Sequence, residues 1–359
     1  MIRRLSALVQ AALVFCGCVV RGDACAGHAS LKSAFADAFR VGAAVGTHHA
    51  MGEEPAALEL VARHFNSITS ENLLKWSEVH PEPSRYDFAA ADRYVEFGER
   101  HGLFIVGHTL VWHNQTPDWV FRDDAGQPLS RDALLERMRE HIATVVGRYK
   151  GRIHAWDVVN EAIDDEGNLR DTLWRKLIGD DYIEKAFQFA HEADPGAELY
   201  YNDYNEWHPK KRAAILRLIR SLQERGTAVA GLGLQGHWGM DYPSLPEIDA
   251  MLKDYRQLGV KLMVTELDIN LLPAAERRLG ADVTRNIAAS KELNPYADGL
   301  PPDVAQRLAD RYAELFKAFM EHKDAIDRIT WGRTAYPLLF DRQLQPKAAY
   351  HAVLGAAQP

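Results

Sequence analysis

Two glutamates, Glu161 and Glu266, each close an apolar run of strand-like length. The runs are Ile153-His-Ala-Trp-Asp-Val-Val-Asn-Glu161 and Lys261-Leu-Met-Val-Thr-Glu266. Burying an unpaired carboxylate is costly, so two such strand ends point to a functional demand. Parallel strands would deliver both groups to one end of a barrel. A protonated and an ionised carboxyl group there suit acid and nucleophile chemistry at an acetal. The neighbours fit that division of labour. Asn160 can hydrogen-bond a sugar 2-hydroxyl beside Glu161, and His237 with Asp268 can form a chain that keeps Glu266 oriented and ionised.

The elements that must carry these residues alternate between short apolar runs and amphipathic stretches, the pattern of repeated βα units. Strands are predicted at Arg40–Val45, Asn66–Thr69, Phe104–His108, Ile153–Asn160, Leu199–Asn202, Ala230–Gln235, Lys261–Glu266 and Ile329–Trp331. Helices are predicted at Ala89–His101, Arg131–Tyr149, Asp181–Ala193, Lys210–Arg225, Leu245–Leu258 and Pro302–His322. Eight strands with helices between them give a single (β/α)₈ barrel. A doubly wound open sheet fits less well, because Val45-Gly46-Thr47-His48-His49 is no dinucleotide fingerprint. Polar residues crowd the C-terminal strand ends: Glu71, Asn72 and Lys75; His108, Trp112 and His113; Asn160 and Glu161; Asn202 to Asn205; Gln235, His237 and Trp238; Glu266 and Asp268. That face carries the chemistry in this fold. Among the aromatics, Trp112 and Tyr204 sit between polar site residues, whereas Trp119 and Trp207 read as packing.

With 359 residues, 47% hydrophobic and 26% charged, the chain can bury a large core as one domain. Arg3 and Arg4 precede the apolar stretch Leu5 to Val20, and Ala24-Cys25-Ala26 is a small-residue cleavage signal. Residues 1–26 are therefore expected to be a cleaved signal peptide and residues 27–359 the working domain, secreted or periplasmic. The apolar stretch is short for a transmembrane anchor. Cleavage would remove all three cysteines, leaving no disulfide and no thiol chemistry. The formal charge of −8 becomes still more acidic with loss of Arg3, Arg4, Arg21 and Asp23, which argues against nucleic-acid and anionic-membrane partners. His48 with His49, and His108 with His113, lack the i, i+4 spacing of a helical zinc pair. No metal or cofactor is expected, and the chain is expected to be a monomer.

Five motifs together resemble glycoside hydrolase family 10, the endo-β-1,4-xylanases: Ser67-Ile-Thr-Ser-Glu-Asn-Leu-Leu-Lys-Trp76, Gly107-His-Thr-Leu-Val-Trp-His-Asn-Gln115, Trp156-Asp-Val-Val-Asn-Glu161, Gly231-Leu-Gly-Leu-Gln-Gly-His237 and Thr265-Glu-Leu-Asp-Ile269. The resemblance runs from about Arg40 to the end. It implies a (β/α)₈ barrel and retaining hydrolysis of xylan without metal or cofactor. It casts Glu161 as acid/base and Glu266 as nucleophile. His108, Trp112, Asn160, Gln235 and His237 resemble residues around the cleaved sugar. Glu71, Asn72 and Lys75 resemble those gripping the next sugar on the non-reducing side, and Tyr204 and Asn205 the reducing-side contacts.

One departure stands out. Ile329-Thr-Trp331 joins Gly332-Arg-Thr-Ala-Tyr-Pro-Leu-Leu-Phe-Asp341 directly, so the eighth βα loop of the family is shortened. Trp331 can stand for the first family tryptophan there, and the second has no counterpart. The expected consequence is an opened non-reducing-side subsite and lower efficiency. Two other readings stay open at this level: a glycanase of the same barrel type on another β-linked polymer, and a non-catalytic xylan-binding protein.

Overall fold

The computed structural model describes residues 30–271, 296, 299–332 and 338–358. Among the described residues nine parallel strands are present: β1 (Arg40–Val45), β2 (Ser67–Ser70), β3 (Phe104–Val111), β4 (Ala155–Asn160), β5 (Glu198–Asp203), β6 (Gly231–Leu234), the short β7 (His237–Gly239), β8 (Lys261–Asn270) and β9 (Ile326–Trp331). Each of β1 to β5 pairs with the next, β6 pairs with β8, and β9 joins β8 to β1. Eight strands thus close into a (β/α)₈ barrel. The ninth, β7, lies outside that ring and pairs only with the outer half of β8.

The strands read as near-continuous apolar runs because both faces are covered, by the barrel interior and by the helices. Val106, Ala155, Tyr200 and Met263 meet inside the barrel. The larger core lies between strands and helices. The six predicted helices occur within two residues of their expected ends, for example Ala89–Arg100 and Pro302–Glu321. Their starts are fixed locally. Ser130 Oγ accepts from Ala133 N at the head of Arg131–Arg148, and Ser244 with Glu247 forms a capping box before Leu245–Arg256.

One slip in strand register lies between Leu262 and Met263, near the start of β8. Three others fall toward the C-terminal end of the barrel. They lie between His108 and Val111, between Asp157 and Val159, and between Val264 and Leu267. Such irregularities bend a strand and re-aim its side chains. Met263 and Thr265 point inward, so strict alternation would turn Glu266 outward. The slip brings it into the cleft instead.

Candidate active site

Glu161 follows β4 directly and is 9% exposed. Its Oε2 accepts from Trp112 Nε1 at 2.9 Å and its Oε1 from Gln235 Nε2 at 2.9 Å. Its backbone is left-handed, φ +58°, a conformation that costs a non-glycine residue about 1–2 kcal/mol and must be held by its surroundings. Burial raises the Glu161 pKa, the amide of Gln235 and the indole of Trp112 oppose the rise, and the negative charges of Asp203 and Glu266 add to it. The neutral acid is thereby favoured.

Glu266 is built the opposite way. Its Oε2 lies 3.2 Å from His237 Nε2, and His237 Nδ1 lies 3.1 Å from Asp268 Oδ2. Burial pushes the Glu266 carboxyl up, but the hydrogen bond and charge of His237, with His108 and Lys75 behind them, overcome it and hold the group at about 2. Burial alone would lower His237, and Asp268 and Glu266 together carry its pKa well above the ordinary value. The short β7 explains this chain. Gly236, at φ +74°, turns the backbone after β6, and β7 then pairs His237 directly with Asp268 of β8.

A run of side-chain amides joins the two carboxylates. Asn202 Nδ2 donates to Glu266 Oε1 at 3.3 Å and to Asn160 Oδ1 at 3.0 Å, and Gln235 Nε2 donates to Glu161 Oε1 and to Asn160 Oδ1. Because Asn160 Oδ1 takes both donors, its NH₂ group is turned toward Glu161 Oε1, 3.4 Å away. Thr265 Oγ1 donates to Asn202 Oδ1 at 2.8 Å and fixes that amide. Gly233 is required here, since a Cβ on it would stand 2.3 Å from Asn202 Oδ1.

Of the other sequence-predicted residues, Lys75 Nζ donates to Asn72 Oδ1 and Gln115 Oε1, both at 2.9 Å, and lies 4.8 Å from the Trp112 ring. Glu71 follows β2, its N–H donating to Val45 O, and its charge reaches His49. His108 Nδ1 is 2.9 Å from Asp157 Oδ2, both buried. Tyr204 OH accepts from Arg170 Nη2 at 3.0 Å, and Asn205 Nδ2 donates to Asp165 Oδ1 at 3.3 Å. Trp331 is a correction. It was expected on the substrate side, yet it is 3% exposed, stacked on Phe316 and edge-on to Phe65 within the core. A tryptophan ending a buried parallel strand packs outward against the helices when strand alternation sends it there. Residues 333–337, where the shortened eighth loop was read, lie outside the described residues.

Sequence reasoning did not assign roles to Asn202, Thr265, Gln115, Asp157, Arg170, or the Asp203–Lys211 pair. Asn202 and Asp203 carried a signal, as polar residues ending an apolar run. Lys211 carried none, being a lysine in a helix. Its Nζ stands 2.9 Å from Asp203 Oδ1, with both side chains wholly buried, and 3.7 Å from the centre of the Tyr204 ring. Lys211→Met, which strands a buried carboxylate, is expected to cost about 3–5 kcal/mol of stability. Chemical denaturation checks it, and a loss under about 1 kcal/mol would mean Asp203 is otherwise satisfied.

Among the described residues, His48, His49 and Glu54 form a group of metal-ligand types. Gly46 N donates to His49 Nδ1, so the proton on that ring sits at Nε2, facing Glu54 Oε2 at 3.5 Å. His49 is thus a hydrogen-bond donor to Glu54 rather than a ligand.

The model of glycosyl hydrolase family 10 matches residues 30–356. The chain belongs to that family. Endo-1,4-beta-xylanase B of Paenibacillus barcinonensis is 43% identical over 344 residues, covering 91% of this chain and 98% of the relative. A GH10 endoxylanase from a sugarcane soil metagenome superposes with a TM-score of 0.87 at 44% identity, covering 91% of this chain and 99% of that one. The intracellular xylanase of Thermoanaerobacterium saccharolyticum superposes with a TM-score of 0.78 at 37% identity, covering 90% and 98%. It was solved as two glutamate-to-alanine variants, one holding xylotriose and one xylotetraose. The two substituted glutamates stand as far apart in that chain as Glu161 and Glu266 do in this one.

Proposed function

We propose that this family 10 member is a retaining endo-β-1,4-xylanase in which Glu161 is the acid/base and Glu266 the nucleophile. The observation that carries the reading is the opposed tuning of two carboxyl groups joined by one amide run, with burial favouring the neutral acid at Glu161 and His237 holding Glu266 ionised. In the first step a carboxylate oxygen of Glu266 bonds to the anomeric carbon as the glycosidic C–O bond breaks. The leaving oxygen takes the Glu161 proton. In the second step Glu161, now ionised, removes a proton from water, whose oxygen displaces Glu266 and restores both groups with net retention. The NH₂ group of Asn160, 3.4 Å from Glu161 Oε1, suits the 2-hydroxyl of the sugar undergoing substitution. Lys75, Asn72 and Glu71 suit the next sugar on the non-reducing side, and Tyr204 and Asn205 the reducing side.

Xylan as the polymer is supported by relatives named for it and by the xylo-oligosaccharide complexes of the Thermoanaerobacterium protein. Incubation with xylan, mannan and soluble cellulose, with products separated by chromatography and the first-formed anomer read by NMR, tests the reading. Internal cleavage of xylan with β-anomer first is the expected result. Action only on mannan or cellulose, or α-anomer first, would overturn it. The shortened eighth loop is expected to leave the non-reducing-side subsite open, giving a lower kcat/KM on xylotetraose than full-loop relatives. Export by residues 1–26 and a monomeric state belong to the same proposal. Among the described residues no helix is long and apolar enough to cross a membrane.

A further inference from the structure

Glu161 has both backbone polar groups engaged. Its N–H donates to Asn202 O at 2.9 Å, and its carbonyl accepts from Arg170 Nε at 3.1 Å. The same guanidinium donates through Nη2 to Ile163 O at 3.3 Å and to Tyr204 OH at 3.0 Å. Arg170 is itself fixed, since its N–H donates to Ala162 O at 2.7 Å and the preceding residue, Leu169, forms a bridge with Ile163. One planar cation therefore spans the left-handed turn that aims the acid and the ring assigned to the sugar being released. A guanidinium holds such a fork rigidly, where an ammonium would not.

We propose that Arg170 is a positioning residue that couples the reducing-side subsite to the placement of the Glu161 proton. The inference rests on the xylanase reading. A sugar seated against Tyr204 presses on a ring whose hydroxyl is tied to the backbone of the acid, so leaving-group binding and protonation are set by one side chain. The charged and titratable groups facing this region are Glu161, Asp203, Tyr204, Lys211, His113, Tyr182 and Asp165, with Glu266 beyond Glu161. A cation beside Glu161 stabilises its ionised form. Removing that charge must move the Glu161 titration upward, whereas loosening of the loop, which admits water, must move it down.

The test compares Arg170→Met and Arg170→Lys with the parent on xylotetraose and on 2,4-dinitrophenyl β-xylobioside, whose leaving group needs no proton. Arg170→Met is expected to lower kcat/KM about 100-fold on xylotetraose, the scale of a lost general acid, and less than about 5-fold on the aryl substrate. The basic limb of its pH profile should move up. Arg170→Lys keeps the charge and should leave that limb in place while restoring part of the xylotetraose rate. Equal losses on both substrates, or a basic limb that falls or stays put in Arg170→Met, would overturn the proposal. A parent that hydrolyses neither substrate would instead overturn the xylanase reading on which it stands.

Discussion

Glu266→Ala is expected to lower xylan turnover by about 10⁴-fold or more while xylo-oligosaccharide binding persists. The size follows from the chemistry, since without a nucleophile no glycosyl-enzyme forms and the double displacement has no first step. Binding survives because most of the cleft, including Lys75, Asn72 and Tyr204, does not depend on that carboxylate for its own contacts. His237 would lose one carboxylate and keep the other, Asp268 at 3.1 Å. Its raised pKa should fall part of the way back, a change that NMR titration of the ring can follow. Calorimetry with xylotetraose and product analysis on xylan make the decisive comparison. Hydrolysis within about 10-fold of the parent would exclude Glu266 as the nucleophile.

Glu161→Ala is expected to separate substrates by leaving group. On xylan, kcat/KM should fall by about 10²–10⁴-fold, because the departing sugar oxygen must be protonated as its bond breaks. On a dinitrophenyl xylobioside the first step should survive nearly intact. Turnover should then stall at the second step for want of a base. Azide, a nucleophile that needs no deprotonation, should restore the rate and yield the β-azide. The pH profile carries the sign. The Glu161 pKa is raised by burial, so its acid form is available at low pH and is lost as pH rises through that value, giving the basic limb. Glu266 is held at about 2, so the nucleophile is ionised above that pH and sets only a remote acid limb. In Glu161→Ala the basic limb should disappear from the residual activity on xylotetraose, whose leaving oxygen needs the proton. A limb that persists unchanged would mean another group supplies the proton.

The opposed environments also account for why both carboxyl groups tolerate burial. Glu161 lessens the cost through a raised pKa, which favours its neutral form, and by accepting from two neutral donors, Trp112 and Gln235. Glu266 avoids it by pairing with a histidine that a second carboxylate keeps charged. The amide run through Asn160 and Asn202 ties the two solutions together, so a shift of either glutamate is resisted by the other's partners.

Period and spacing were enough to read eight strands, six of the helices and the polar rim, while the helix Pro55–His64 between β1 and β2 was not among those predicted; the barrel buries each strand on both faces and writes that burial into the sequence as apolar runs. The two glutamates were legible for the same reason, as charges where burial forbids them. Pairing of His237 with Asp268 was also foreseeable, although the strand β7 that enforces it was not, being three residues long and lacking any period. Trp331 shows the limit. Its place in the family motif suggested a substrate-side residue, and packing against Phe316 decided otherwise.

What only the tertiary structure decided is direction. Glu266 would face the helices under strict alternation from Met263, and a register slip turns it inward; a slip between Asp157 and Val159 likewise precedes Asn160 and Glu161. Such slips depend on how neighbouring strands share hydrogen bonds, which is a property of the pair and is absent from either strand's sequence. The same holds for Asn202, Arg170 and Lys211, whose partners come from distant strands and loops. Residue type and order determined that two carboxylates would stand at the end of a barrel. The contacts between strands determined that one would have its pKa raised, the other be held ionised, and both be aimed at the same cleft.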